Sequence, residues 1–90
     1  MGDVWKALAD PTRRRILELL RKGDMNAGDI AAQFDFSKPT ISNHLNVLKS
    51  ADLVDSTKKG QNIIYSINTS VFEDIMSVLA GFVKKGEEEE

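Results

Sequence analysis

The sequence predicts a mainly α-helical domain with one β-hairpin, in the order helix, helix, helix, helix, strand, strand, helix. Three observations predict it. Apolar residues recur at helical spacing along much of the chain, one segment near residue 64 alternates between two faces as a strand does, and capping residues stand where helices should begin. The length of 90 residues, without a repeat or linker, indicates one domain over residues 1–86, followed by an acidic tail at residues 87–90.

The first two helices are divided at Asp10. The first covers Asp3 to Ala9, with an apolar face. Asp10 is a favourable N-cap and Pro11 suits the first turn of a helix, so the second helix begins there. It continues to about Lys22 and ends before Gly23.

The third and fourth helices are separated by a short turn. The third runs from Asn26 or Ala27 to Gln33, and Asp35 is placed in the turn because Asp tolerates left-handed backbone. Ser37 caps the fourth helix, which continues to about Ala51. A steep crossing of these helices needs apolar inner faces around a small residue. The expected inner residues are Ile30, Ala31, Phe34, Phe36, Ile41, Leu45 and Leu48.

A hairpin and a last helix complete the chain. Leu53–Thr57 and Asn62–Asn68 are predicted strands, joined by a turn in which Gly60 supplies a positive φ. Thr69 or Ser70 caps a last helix that continues to about Lys85. Two short helices around a tight turn, followed by a hairpin, form a winged helix-turn-helix.

The outward face of the fourth helix is polar and almost uncharged. At 100° per residue, Ile41, Leu45 and Leu48 define the buried side, and Asn43 points away from them. His44 lies at the edge of the buried stripe. Such a helix fits the major groove of double-stranded DNA, where each base pair presents a distinct pattern of donors and acceptors. The expected DNA-binding residues on this helix are Lys38, Thr40, Ser42, Asn43, His44 and Asn46.

Further DNA contacts are expected outside the fourth helix. Lys58 and Lys59 are placed at the tip of the hairpin, with Gln61 beside them, where they would contact phosphates. Arg13 to Arg15 open the second helix, although basic residues at a helix N-terminus oppose the macrodipole. We interpret this as a sign of either an ion pair or a phosphate contact, and Arg13 is the candidate.

The apolar stripe of the last helix is too wide for a chain of this length to cover. Together with the first helix it would leave an exposed apolar patch, and such patches mark interfaces. A two-fold homodimer would bury it. The expected interface residues are Val4, Trp5, Leu8, Val71, Phe72, Ile75, Leu79 and Phe82.

Composition excludes several classes of function. There is no cysteine, so disulfides, thiolate metal sites and thiol redox chemistry are excluded. No apolar run reaches the length of a membrane span, and no signal peptide is visible, so a cytoplasmic location is expected. The net charge is −2, but Glu87–Glu90 account for it, since the other residues carry 12 basic against 10 acidic groups. With one His and no nucleophile paired with a base, an enzyme is not expected.

Several motifs together resemble the ArsR family of bacterial repressors. Asp10 to Leu17 resembles the opening signature of that family, Ser37 to Leu48 resembles its recognition helix, and Lys59–Gly60 through Ile64–Tyr65 resembles its wing. Residues 23–25 and 27–31 are most similar to the SdpR-type autorepressor group. The resemblance implies an autoregulatory, homodimeric repressor on a palindromic operator, with the first and last helices at the dimer interface.

The sequence departs from the metal-sensing members of that family. The third-helix region reads Met25-Asn26-Ala27, and the last helix offers only Glu73 and Asp74, a poor site for a transition metal. We therefore predict no metal and no cofactor, and regulation by the protein's own level or by a partner protein. Two alternatives stay open: a metal-responsive repressor with unrecognised ligands, and a winged-helix interaction module that does not bind DNA.

Overall fold

The computed structural model describes residues 2–88, and side chains from residue 3 to residue 83. The predicted order of elements is confirmed, and one short strand is added between the second and third helices. The helices are α1 (Gly2–Leu8), α2 (Pro11–Arg21), α3 (Ala27–Ala32), α4 (Lys38–Ser50) and α5 (Thr69–Glu88), and the strands are β1 (Met25–Asn26), β2 (Val54–Lys59) and β3 (Asn62–Ile67).

Three helices begin at side-chain caps that the sequence supplies. The Asp10 carboxylate accepts hydrogen bonds from the backbone N–H groups of Thr12 (2.8 Å) and Arg13 (3.2 Å). Asn26 caps α3 by accepting from the N–H of Asp29 at 2.7 Å. Ser37 caps α4 in the same way, so each cap satisfies N–H groups that the first turn would otherwise leave open. The caps at Asn26 and Ser37 fix where the two helices of the helix-turn-helix begin.

The strands form an antiparallel sheet in the order β1-β3-β2. In the wing, Val54 pairs with Ile67 and Lys59 with Asn62, and on the other side of β3 Met25 pairs with Tyr65. Strand β1 was not predicted, because two residues are too few to show an alternating pattern and their partner lies far along the chain. Its pairing ties the start of α3 to the wing.

The hairpin turn is tighter than the sequence indicated. Strand β2 extends through Lys59, so Lys58 and Lys59 lie along the strand, paired with Ile63 and Asn62, rather than at the tip. The turn consists of Gly60 and Gln61, and Gly60 has the expected positive φ of 60°. The prediction of left-handed backbone near Asp35 was wrong, since the non-glycine residue with positive φ in the described chain is Asp52.

The core lies between α2, α3, α4 and the sheet. Its largest fully buried side chains are Ile16, Ile30, Ile41, Leu45, Leu48, Leu53 and Val54. The predicted inner faces of α3 and α4 are confirmed with one exception. Phe36 is 47% exposed, because it lies in the turn and stacks on Phe34 instead of entering the core. Phe34 itself is half-buried against the core.

Helix α5 leaves the body of the protein after its second turn. Ile75 is 5% exposed, whereas every side chain from Met76 to Val83 is exposed. The molecule therefore measures 54 × 25 × 23 Å, with a radius of gyration of 15.0 Å, against about 12 Å for a compact chain of this length. The apolar side chains on the exposed part of α5 are Met76, Val78, Leu79, Phe82 and Val83.

The structure divides the predicted dimer-interface residues into three groups. Val4 and Ile75 are buried within the chain itself and have no area to offer a second chain. Leu8, Val71 and Phe72 are partly buried against the core. Trp5, Leu79 and Phe82 are exposed. The first two residues of the predicted acidic tail continue α5, which ends at Glu88. Glu89 and Glu90 lie outside the described residues.

Candidate nucleic-acid interface

The outward face of α4 carries polar side chains that the fold leaves exposed. Ser42, Asn43 and Asn46 are exposed, as is Lys38 at the start of the helix. On the opposite side Ile41, Leu45 and Leu48 are buried. The division between the two faces matches the sequence prediction, and it puts hydrogen-bonding groups where a base edge could meet them.

Thr40 differs from its neighbours on α4. Its hydroxyl lies 3.0 Å from the hydroxyl of Ser37, and its backbone N–H donates to the same Ser37 oxygen at 3.3 Å. Thr40 is also half-buried. Its side chain therefore already takes part in the cap of α4, which leaves Ser42 and Asn43 better placed than Thr40 to read bases.

A groove lies between the wing and the starts of α3 and α4. It has a volume of about 460 Å³ and brings Lys38 of α4 together with Gln61 and Asn62 of the hairpin. Asn26, Ala27 and Gly28 form its other wall. The predicted contacts Lys38 and Gln61 thus share one concave surface. Lys58 and Lys59 are exposed along β2 and do not line this groove.

A second groove lies between α1 and the outward face of α4. Its volume is about 430 Å³, and its lining residues are Asp3, Lys6, Asn43, Asn46, Val47 and Ser50. Lys6 was not among the candidate residues from the sequence. One lysine on a short helix carries no distinctive pattern, and only the packing of α1 against α4 brings it beside the candidate base readers.

Arg13 connects the first helix to the recognition helix. Its Nε donates to the carbonyl of Ala7 at 2.7 Å, and one terminal nitrogen donates to the carbonyl of Lys6 at 3.1 Å. The other terminal nitrogen lies 3.3 Å from Nδ1 of His44. A phosphate contact by Arg13 stays a prediction, but its guanidinium already joins the C-terminal end of α1 to α4.

The partner of His44 assigns the tautomer of its ring. A guanidinium can only donate, so Nδ1 of His44 is the acceptor and the proton of the neutral ring is on Nε2. His44 is half-buried, at the edge of the apolar stripe as the sequence predicted. Its Nε2–H is then the group that remains to donate toward a ligand.

The other two arginines at the start of α2 have separate structural contacts. Arg14 donates to the carbonyl of Leu8 at 2.7 Å, at the end of α1. The guanidinium of Arg15 lies 4.7 Å from the centre of the Phe34 ring, which is cation–π geometry. The unusual run of three arginines is thus explained by contacts with the end of α1 and with the turn before α4.

Asp10 carries the negative charge of this region. Its partial burial would raise its pKa, but the hydrogen bonds from the backbone N–H groups of Arg13 and Thr12 outweigh that effect, with help from the positive charge of Arg13. The pKa of the Asp10 carboxyl therefore lies below its ordinary value. The carboxylate is charged at neutral pH and offsets the basic residues that follow it in the first turn of α2.

Comparison with known sequences identifies relatives along nearly the whole chain. A family described as bacterial regulatory proteins of the arsR family matches residues 10–56. The transcriptional repressor SdpR of Bacillus subtilis (strain 168) is 53% identical over 97% of this chain and 97% of its own length. The arsenical resistance operon repressor of Staphylococcus aureus is 35% identical over 88% of this chain and 76% of its own length.

Solved structures agree with the sequence relatives. An ArsR-family transcriptional regulator superposes with a TM-score of 0.88 at 28% identity, covering 96% of this chain and 94% of the other. The homodimeric winged helix-turn-helix DNA-binding domain of a possible ArsR-family regulator from Mycobacterium bovis superposes with a TM-score of 0.75 at 28% identity, covering 99% and 82%. The winged helix-turn-helix prediction is confirmed.

These relatives are regulators of transcription, so the prediction that the chain is not an enzyme is also confirmed. Within residues 2–88, no helix has both the length and the apolarity to cross a membrane. The family match covers the recognition helix and the start of the wing, and the full-length relative extends the likeness to α5. The chain belongs to the arsR family of bacterial regulatory proteins, a family of DNA-binding transcriptional regulators.

Proposed function

We propose that this protein is a repressor that binds a palindromic operator as a homodimer, regulates its own synthesis and does not respond to metal. The observation that carries the proposal is the outward face of α4, where exposed amide and hydroxyl groups adjoin grooves that each contain a lysine. Amides and hydroxyls recognise base edges, and lysines bind phosphates. SdpR of Bacillus subtilis, at 53% identity, is named a repressor. A regulator of this kind acts on the chromosome and hence in the cytoplasm.

We propose a separate role for each group of side chains at the DNA interface. Ser42, Asn43 and Asn46 read bases, and Lys38, Lys58 and Lys59 bind phosphates, with Gln61 beside them in the wing. His44 contributes its Nε2–H at the edge of the groove. The main role of Thr40 is in the cap of α4, and the main role of Arg13 is to link α1 to α4. Any contact of these two residues with DNA is additional.

The dimer is supported by the exposed half of α5. Five large apolar side chains lie exposed between Met76 and Val83, and Trp5 on α1 is 46% exposed. A related winged-helix domain is described as homodimeric. A two-fold axis between α5 helices would bury these side chains and present two recognition helices about 34 Å apart, one turn of DNA. The operator would then be a palindrome.

The independence from metal is supported by the side chains available. Among the described residues, no three His, Cys, Asp or Glu side chains lie close enough together to hold a metal ion. Glu73 and Asp74 of α5 are exposed and adjacent, so they point in different directions. Because a relative is named for arsenical resistance, response to a metal or metalloid is the alternative that needs an experiment. A partner protein is the other source of an inducing signal.

The proposal is tested by selecting bound duplexes from a random DNA pool. We expect recovery of an inverted repeat whose half-sites are separated by one helical turn or a multiple of it, and a tighter Kd for that duplex than for a scrambled one. Recovery of sequences without a common motif would contradict sequence reading and would favour the interaction module. A single half-site would contradict the dimer. Recovery of the same repeat in the protein's own promoter would support autoregulation.

Metal response is tested on the selected duplex. Binding is measured with zinc, with arsenite and with EDTA, in the absence of added thiol. We expect the same Kd in all three conditions. Release of DNA by low micromolar zinc or arsenite, reversed by the chelator or by thiol respectively, would show that the protein senses a metal or metalloid through ligands not identified here.

A further inference from the structure

The groove between α1 and α4 extends the candidate interface beyond the helix-turn-helix. Lys6 of α1 lines it together with Asn43 and Asn46, which lie on the outward face of the recognition helix. Lys6 is exposed, and none of the side-chain hydrogen bonds and ion pairs found among the described residues involves its ammonium group. A cation therefore lies beside the groups proposed to read bases.

The two grooves meet α4 at different places: the one next to the wing at the first residue of the helix, and the one next to α1 along its outward face. The groove next to the wing contains Lys38, and the groove next to α1 contains Lys6. The major groove of DNA is about 12 Å wide and is bounded by the two phosphodiester backbones. A helix inserted there has one backbone on each side. One groove toward the wing and one toward α1, each lined by a lysine, match that arrangement.

We propose that Lys6 binds a DNA phosphate, on the backbone opposite the one that contacts Lys38 and the wing. The inference rests on the proposed DNA-binding function and adds α1 to the interface. Lys6 would supply affinity without sequence preference, because phosphates carry no direct base information. Its role is thereby separate from that of Asn43 in the same groove.

Arg13 keeps Lys6 in place relative to the recognition helix. The same guanidinium binds the carbonyl of Lys6 at 3.1 Å, the carbonyl of Ala7 at 2.7 Å and the ring of His44 at 3.3 Å. A contact between α1 and a phosphate can contribute only if α1 and α4 reach the DNA as one unit. The three bonds of Arg13 hold them together.

Asp3 provides a change of opposite sign. Its carboxylate lines the same groove, where it repels a phosphate. Asp3→Asn removes that charge and should tighten DNA binding. A loss of folding stability would weaken DNA binding rather than tighten it. Tighter binding by Asp3→Asn would therefore be an electrostatic effect.

The experiment measures Kd against salt concentration for the selected duplex and for a scrambled duplex. For Lys6→Ala we expect a log–log salt slope shallower by about 0.9 per protomer, and a Kd raised on the order of tenfold per protomer at 50 mM salt, equally for both duplexes. Lys6→Arg should retain the wild-type slope. Lys22→Ala is the matched control. Lys22 is an exposed lysine at the C-terminal end of α2, about 16 Å from the first residue of that helix.

The outcomes separate this inference from the proposed function. If the wild-type protein binds the selected duplex specifically and Lys6→Ala leaves the salt slope unchanged, the phosphate contact is refuted while DNA binding stands. A slope lowered as much by Lys22→Ala would also refute it, since the effect would then be one of total charge. If the wild-type protein does not distinguish the two duplexes, the proposed function fails first.

Discussion

Two helices of this protein, α4 and α5, each expose a surface that does not pack against the rest of the chain. The two surfaces differ in chemistry. The outward face of α4 is polar, with Ser42, Asn43 and Asn46 exposed. The half of α5 beyond Ile75 exposes apolar side chains, including Phe82 at 71% and Val83 at 63%. Polar groups keep their hydration until a partner replaces it, whereas exposed apolar area favours contact with another apolar surface. The first surface is suited to DNA and the second to a protein.

The two surfaces also differ in what supports them. Helix α4 is held in the core by Ile41, Leu45 and Leu48, which are almost fully buried. The side chains on its outer face are therefore not needed for packing and are available for binding. Beyond Ile75, α5 has no buried side chain among the described residues. Helices shorter than about 12–15 residues are marginal in water on their own. The buried side of α4 thus supports that helix within the single chain, whereas the far half of α5 receives no such support among the described residues.

The largest expected effect comes from placing a charge in the apolar surface. Phe82→Asp should convert the dimer to monomer, because a buried carboxylate would oppose the contact between the α5 helices. Operator affinity should then fall by about 10²–10⁴-fold, since two linked half-site contacts become one. Sedimentation and DNA titration measure the two changes. Ser77→Asp adds the same charge on the opposite side of the exposed helix and should do neither.

The next effect comes from the polar surface. Asn43→Ala should weaken binding to the selected duplex by about 1–3 kcal/mol and leave the scrambled duplex almost unaffected, because one base contact is lost. The free energy of unfolding should not change, as Asn43 is exposed. Ser77→Ala, at an exposed position of α5 away from both grooves, serves as the control. Equal losses on both duplexes would mean that Asn43 contacts phosphate rather than bases.

An effect of similar size is expected where α1 is joined to α4. Arg13→Ala removes the hydrogen bonds from its guanidinium to α1 and to His44 and should lower the free energy of unfolding by about 1–3 kcal/mol. Arg21→Ala removes an ion pair with Glu18 in which both side chains are 66% exposed, and should cost well under about 1 kcal/mol. Chemical denaturation compares the two variants. Similar losses would show that Arg13 does not connect the helices.

The smallest effect concerns the charge at the cap of α2. The pKa of Asp10 is lowered in the folded protein, so its ionised form stabilises the fold above its unfolded pKa, near 3.9, and that contribution is lost as the pH falls through the folded value. Asp10→Asn keeps a cap but no charge. We expect it to be less stable than wild type by about 0.3–1 kcal/mol at pH 7, with the difference shrinking as the pH falls through the folded pKa of Asp10. If the difference in the free energy of unfolding stays the same from pH 7 down to acidic pH, the effect comes from hydrogen-bond geometry and not from the charge.

The elements of this fold were readable because their signals are local. Asp10, Asn26 and Ser37 cap helices within three residues of themselves, and the buried stripe of α4 repeats at helical spacing. The polar face of α4 follows from the same periodicity. Strand β1 could not be read, because its two residues are defined by their pairing with Ile64 and Tyr65.

The sequence by itself determined the order of elements, the caps at Asp10 and Ser37 and the two faces of α4, since each depends on residues within a few positions of one another. Only the tertiary structure decided what surrounds Arg13, His44 and Lys6. Arg13 and His44 are 31 positions apart and meet at 3.3 Å. Lys6 comes beside Asn43 because α1 packs on α4. Contacts between distant segments depend on how helices pack, and the periodicity of one segment carries no information about the neighbour it will meet.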